Sequence, residues 1–248
     1  MGRLSPLSWL PAELVETVPE NERARTLRFR AAGLAPHRAG QHVDLRLTAE
    51  DGYAAVRSYS LAAPASGNGT VSVTVERLDD GEVSPYLVDE MRVGDLLEVR
   101  GPIGGYFVWS SSDPRPLTLV AGGSGVVPLA AMIRQRAAER APAPMRLLYS
   151  ARSAGDLLFR AELDEPGDGV EVRHTLTRSQ PGGWTGYARR VDRPMLEEAV
   201  WPGDADARAF VCGPTAFVEQ VAELLLELGY PPATVRTERF GPTGGRDG

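Results

Sequence analysis

The feature that most constrains this chain is a change of hydrophobic period part-way along it. From about residue 12 to residue 110, apolar and polar residues alternate in short runs such as Thr26-Leu27-Arg28-Phe29-Arg30, Val43-Asp44-Leu45-Arg46-Leu47 and Val71-Ser72-Val73-Thr74-Val75. A period of two puts every second side chain on one face, the pattern of a half-buried strand. Such runs recur at intervals of roughly ten to twenty residues, some separated by Gly-Asn-Gly and Asp-Asp-Gly turn sequences, and predict an antiparallel barrel or sandwich. After Ser110-Ser111-Ser112-Asp113-Pro114 the pattern becomes near-continuous apolar strands alternating with helical segments. Leu117-Thr118-Leu119-Val120 leads into a helical stretch through Arg140, and Arg146-Leu147-Leu148-Tyr149-Ser150 into a shorter helix near Leu157 to Leu163. Val170 to Thr177 and Ala209 to Cys212 read as further strands, and Phe217 to Leu228 as a helix closed by Gly229. Strands buried on both faces and interleaved with helices are the signature of a parallel sheet. At 248 residues the chain accommodates two domains, read as an antiparallel β-barrel over 6–112 and an α/β parallel-sheet domain with a C-terminal tail over 113–248.

Charge and composition exclude several functions. The net charge of −6 is modest, with acidic and basic residues interspersed, so no broad basic footprint for nucleic acid exists. Cys212 is the only cysteine, which rules out an intramolecular disulfide and a cysteine-ligated iron–sulfur cluster on this chain. His37, His42 and His174 lack the close spacing of a zinc or iron site, so no catalytic metal is expected. No apolar run reaches membrane-spanning length and the opening residues lack a signal-peptide core, so the chain reads as cytoplasmic, without membrane insertion.

The most informative local feature is Val120-Ala121-Gly122-Gly123-Ser124-Gly125-Val126-Val127-Pro128, a buried strand running into a glycine turn that opens a helix. Glycines let the backbone approach a pyrophosphate, and the helix N-terminus presents N–H groups and a favourable dipole. The spacing is not G-x-G-x-x-G, and taken alone the glycines also fit a plain tight turn.

Four short motifs occur in an order that resembles the ferredoxin–NADP reductase superfamily along nearly the whole chain. They are Arg57-Ser58-Tyr59-Ser60, similar to R-x-Y-[ST]; Gly81-Glu82-Val83-Ser84, similar to G-x-x-S; Gly122-Gly123-Ser124-Gly125; and Cys212-Gly213-Pro214. Gly101-Pro102-Ile103-Gly104-Gly105-Tyr106-Phe107 resembles a further turn of the family. The resemblance implies an FAD-binding barrel followed by an NAD(P)-binding domain. It places Arg57 on the FAD pyrophosphate, Ser58 beside it, Tyr59 against the flavin ring, and Ser60 near flavin N5. Gly81, Val83 and Ser84 would meet the FAD phosphates, although Ser84 also fits an ordinary helix cap. Gly122, Gly123, Gly125 and Pro128 would line the nicotinamide dinucleotide. Cys212, Gly213 and Pro214 would lie beside its nicotinamide, with Glu238 and Phe240 near the hydride-transfer region. Tyr59, Ser60, Cys212 and Glu238 are thus the expected catalytic set, while a core tyrosine and a buried structural thiol remain alternatives for Tyr59 and Cys212.

At the end of the second parallel strand, Ser150 and Arg152 stand where a typical NAD site carries an acidic residue, and Thr177-Arg178 resembles a pair used for a 2′-phosphate. NADPH is therefore favoured over NADH, although Asp156 follows closely and exposed arginines also serve as surface ion pairs. The expected function is an FAD-dependent NAD(P)H oxidoreductase of ferredoxin-reductase type. It would deliver electrons to a separate acceptor protein, an iron–sulfur ferredoxin or an oxygenase component. The alternatives are a free flavin or ferric-chelate reductase and a non-autonomous electron-transfer subunit.

Overall fold

The computed structural model describes residues 7–49, 51–65, 67 and 69–240. Asn68 of the Gly-Asn-Gly turn and the C-terminal tail beyond Phe240 lie outside them. The chain divides into two compact units, Met1–Val108 and Trp109–Gly248.

The first unit is a six-stranded antiparallel sheet of β1 (Leu10–Asn21), β2 (Ala24–Arg30), β3 (His42–Thr48), β4 (Ala54–Ser60), β5 (Thr70–Glu76) and β6 (Leu96–Ile103). Its order is β4-β3-β6-β1-β2-β5. The two edge strands meet through an antiparallel bridge between Leu61 and Val73 and a bond from the Ala62 N–H to the Ser72 carbonyl at 2.8 Å, which closes the sheet into a barrel. Closure removes exposed edges, which an open six-stranded sheet would leave as sites for unwanted pairing. Alternation explains the interior: Leu27 and Phe29 of β2, Val43 and Leu45 of β3, and Val71, Val73 and Val75 of β5 share one core cluster. On β5 the outward Ser72 and Thr74 are buried as well, under Arg28 and Thr26, whose side chains bond the two hydroxyls. Between β5 and β6 a helical turn α1 (Val83–Pro85) continues as a π turn over Tyr86–Glu90.

The second unit is a parallel sheet of β7 (Leu117–Gly122), β8 (Met145–Ala151), β9 (Val170–Leu176), β10 (Arg208–Pro214) and β11 (Val235–Phe240), in the order β11-β10-β7-β8-β9. The helices are α2 (Val126–Glu139), α3 (Arg160–Asp164), α4 (Arg193–Ala199) and α5 (Thr215–Glu227). All six residues of β7 are buried, as a strand covered on both faces requires. Chain order runs outward from β7 to β8 and β9 and then jumps back to β10, so the reversal of direction falls between β7 and β10. Ligands of open α/β sheets bind at that reversal, beyond the carboxyl ends of the strands.

Three details depart from the sequence pattern. The helix expected near Leu157 begins at Arg160, because Leu157, Leu158 and Phe159 all point into the core and the Leu158 N–H is held by the Tyr149 hydroxyl at 3.1 Å. The strand β11 and the helix α4 were not anticipated: β11 alternates too weakly to stand out, and α4 is only seven residues long. Among the described residues no helix is long and apolar enough to cross a membrane.

Candidate functional site

In the barrel unit the motif Arg57-Ser58-Tyr59-Ser60 occupies the end of β4, and strand alternation divides it between two faces. Arg57 and Tyr59 lie opposite Leu45 and Val43 of β3, whereas Ser58 and Ser60 lie opposite Asp44 and His42. Tyr59 packs on the barrel core, and burial pushes its hydroxyl up to about 12. The Ser58 hydroxyl donates to Asp44 at 2.6 Å, and Arg100 donates to the same carboxylate at 2.7 Å. Burial opposes the Asp44 charge, but these two partners outweigh it and hold the carboxyl below its ordinary range. The Ser58 side chain is thereby committed to an internal network.

The segment from Gly81 to Ser84 folds up beside β4. The Ser84 hydroxyl is buried and accepts from the Leu78 N–H at 3.0 Å; it sits inside α1 rather than at the cap, which is Glu82. A Cβ on Gly81 would stand 3.0 Å from the Ser84 hydroxyl oxygen and 3.3 Å from Leu78, so this tight turn has little room for a side chain. Arg57, 53% exposed at its side chain, reaches to within 3.8 Å of Glu82. Two motifs more than twenty residues apart in sequence thus converge through the Arg57 and Glu82 side chains.

In the second unit the predicted residues gather at the carboxyl ends of the parallel strands. Gly122 ends β7, Gly123–Gly125 form a single 3₁₀ turn, and α2 opens at Val126 with Pro128 in its first turn, where its missing N–H costs nothing. Gly123 has φ +56°, a backbone region that disfavours other residues. The remaining glycines answer to packing. A Cβ on Gly125 would lie 2.2 Å from the Cys212 carbonyl oxygen, and Cβ atoms on Gly122 and Gly213 would each lie 2.8 Å from the Phe217 ring. The crossing of β7, β10 and α5 is therefore so close that only bare backbone fits. The start of α2 stands at the sheet's reversal point, with Gly123 and Ser124 of the preceding turn only partly buried.

Across the same sheet edge, Cys212 of β10 is in register with Ala121 of β7 and with Glu238 of β11, and Pro214 is in register with Phe240. Burial, and then the Glu238 carboxylate, raise the Cys212 thiol well above its ordinary value, so it stays protonated and is no nucleophile. Burial pushes Glu238 up to about 7, and its Oε2 is buried without a hydrogen-bond partner. Ser150, the next-to-last residue of β8, lies opposite Gly122. Arg152 and Arg178 follow the ends of β8 and β9 and are tied together by the main chain, the Arg178 N–H donating to the Arg152 carbonyl at 2.8 Å. The nearby Asp156 accepts from the Ser153 hydroxyl at 2.6 Å.

Residues 11–108 match the oxidoreductase FAD-binding domain and residues 119–223 the oxidoreductase NAD-binding domain. The chain is 34% identical over 238 residues to ferredoxin--NADP reductase B of Sorangium cellulosum, covering 92% of this chain and 96% of that protein. The chain belongs to the ferredoxin–NADP reductase superfamily. It is also 32% identical over 236 residues to the glycine betaine monooxygenase reductase subunit of Chromohalobacter salexigens, covering 92% of this chain but only 63% of that longer protein. In fold it resembles the FAD/NAD-binding domain of nitric oxide dioxygenase from Vibrio cholerae, with TM-score 0.84, 24% identity, and 94% and 99% of the two chains covered.

Three residues of this superfamily member escape a motif reading. Phe217 fills the space that side chains at Gly122 and Gly213 would need. Glu82 faces Arg57. His42 lies directly across from Ser60, and burial lowers its basicity against the opposing influence of Asp44. Glu82 stands inside the Gly81–Ser84 motif and Phe217 inside the α5 run, but each of the three acts through a neighbour on another strand or helix. Among the described residues no cluster of three or more histidine, cysteine or acidic side chains forms a metal site.

Proposed function

We propose that this protein uses a nicotinamide cofactor, NADPH in preference to NADH, to reduce a bound FAD, and that it passes the electrons to a separate redox protein such as a ferredoxin or an oxygenase component. The observation that supports this reading is one candidate anion cradle in each unit: Arg57 within 3.8 Å of Glu82 of the Gly81–Ser84 turn in the barrel, and the glycine turn before α2 at the reversal of the parallel sheet. Two cradles in one chain suit two phosphate-bearing cofactors, and the glycine crossing is one a Cβ would fill.

FAD held by these residues would supply the link between two-electron oxidation of a reduced nicotinamide and one-electron delivery to the acceptor. The chain's contribution is positioning. Arg57 engages the pyrophosphate with a planar fork of donors that matches two phosphate oxygens at once. Tyr59, held by the barrel core, offers a flat face for the ring system. Ser60 presents a hydroxyl on the opposite face of β4. Gly122, Gly123 and Gly125 admit the dinucleotide phosphates to the first turn of α2, while Cys212, Gly213, Pro214, Glu238 and Phe240 shape the adjoining strand ends. Burial disfavours the charged form of Glu238 at these strand ends.

The preference for NADPH rests on Arg152 and Arg178, two guanidinium groups on one main-chain link with no carboxylate partner among the described residues. The separate acceptor is supported by relatives named as ferredoxin reductase and monooxygenase reductase subunit. The test is an anaerobic absorbance titration of the FAD-loaded protein with each nicotinamide. Bleaching at lower concentrations of NADPH than of NADH is expected. Preferential bleaching by NADH overturns the 2′-phosphate assignment, and failure to retain FAD overturns the whole reading.

A further inference from the structure

The Arg57 guanidinium is not poised outward for an anion. One of its nitrogens donates to the Val56 carbonyl at 2.8 Å and another lies 3.8 Å from Glu82 Oε2, the oxygen that also accepts from the Tyr53 hydroxyl at 3.2 Å. Glu82 stands at the N-cap of α1, where an acidic side chain ordinarily turns in to accept a backbone N–H. Here it makes no cap bond and turns out toward Tyr53 and Arg57. The other cations of this surface are already engaged: Arg77 is paired with Asp79 and Asp89, and Arg23 with Asp79. A diphosphate arriving at the Gly81–Ser84 turn therefore finds Arg57 as its cation and a carboxylate competing for it.

From this geometry we infer that Glu82 is an electrostatic brake on FAD retention, occupying Arg57 in the cofactor-free protein and repelling the diphosphate in the loaded one. The inference rests on the reading of Arg57 as the pyrophosphate ligand. Glu82 sets how tightly the cofactor is held without touching the reacting atoms. A carboxylate about 4 Å from a unit of phosphate charge in water weakens binding about fivefold, and the second phosphate charge, further away, brings the effect to about tenfold. The ion pair itself is too exposed to stabilise the fold appreciably.

The test is the FAD dissociation constant of the apoprotein, from quenching of flavin fluorescence, for the native chain, Glu82→Gln and Arg57→Ala at about 20 mM and about 1 M salt. The amide of Glu82→Gln keeps an acceptor for Tyr53 and loses only the charge. Binding about tenfold tighter than native at low salt is expected, with the gain falling below about twofold at high salt, where the screening length is only ~3 Å. Unchanged or weaker binding at low salt overturns the brake, and so does a gain that persists in high salt, since that would be a packing effect. Arg57→Ala tests the underlying reading separately. If it binds FAD as tightly as the native chain, Arg57 is not the phosphate ligand; if it binds weakly while Glu82→Gln is unchanged, only the brake fails.

Discussion

The two units meet the same physical task, holding a phosphate-bearing ligand, with opposite means. In the barrel, the β4 main chain pairs with β3, and on the proposed reading attraction for an anion comes from a side chain, Arg57, at the strand's end. In the parallel sheet, every strand ends at the same edge and α2 begins there, so backbone N–H groups supply the attraction and side chains have only to stay out of the way. One site is therefore made by adding a charged group to a surface, and the other by deleting side chains from a crossing. The first should be separable from folding and the second should not.

The strongest way to break this comparison is Gly125→Ala. Its new methyl group would stand 2.2 Å from the Cys212 carbonyl oxygen, backbone that cannot step aside cheaply. Urea denaturation should show a loss of more than about 3 kcal/mol, whereas Gly105→Ala in the barrel, with nothing within 4 Å of its Cβ, should lose less than about 0.5 kcal/mol. Equal effects would mean that the crossing is not the constraint.

Glu238→Gln comes next in size. The folded carboxyl titrates at about 7 against an ordinary value of 4.5, because burial disfavours its charge. The folded state thus keeps a proton that the unfolded state releases between those values, and stability declines as pH rises from about 4.5 to about 7. Glu238→Gln should remove that decline, leaving the protein about 3 kcal/mol more stable than native at pH 8 and no different at pH 4, measured by denaturation across pH. A stability curve of the same shape in both would exclude the titration of Glu238.

Arg57→Ala should weaken FAD binding about thirtyfold, the loss of a charge-assisted bond of ~2 kcal/mol, while shifting the thermal midpoint by less than about 2 °C. A large fall in midpoint would show that site and fold are coupled in the barrel as well. The smallest effect is expected for Arg178→Ala, raising the KM for NADPH about tenfold and leaving that for NADH within about twofold. A parallel rise in both would show that Arg178 does not read the 2′-phosphate.

Much of the fold was legible because it is periodic. The alternation of Leu27 and Phe29 with Arg28 and Arg30 placed β2, and the uninterrupted Leu117–Gly122 run placed β7 with both faces covered. Gly229, with φ +89°, marked the end of α5. The motifs located the strand ends on which the candidate residues lie. What the pattern missed was short or non-local. α4 offers too few turns for a helical period to register, and the start of α3 was displaced by three consecutive buried residues that no periodicity describes. The commitment of the Ser58 hydroxyl to Asp44, a carboxylate itself held by Arg100, likewise involves residues 14 and 42 positions away from Ser58 in sequence.

The sequence by itself determined that this chain has a half that alternates and a half that does not, that the glycine turn follows the first parallel strand, and that a single cysteine leaves no cluster here, because period and composition are local properties. Only the tertiary structure decided which glycines are required by contact, since the need at Gly122, Gly125 and Gly213 comes from Phe217 and the Cys212 carbonyl. It alone set Glu82 against Arg57 and burial on Glu238, because charge and solvation depend on what lies within a few ångströms, and distance along the chain does not report that.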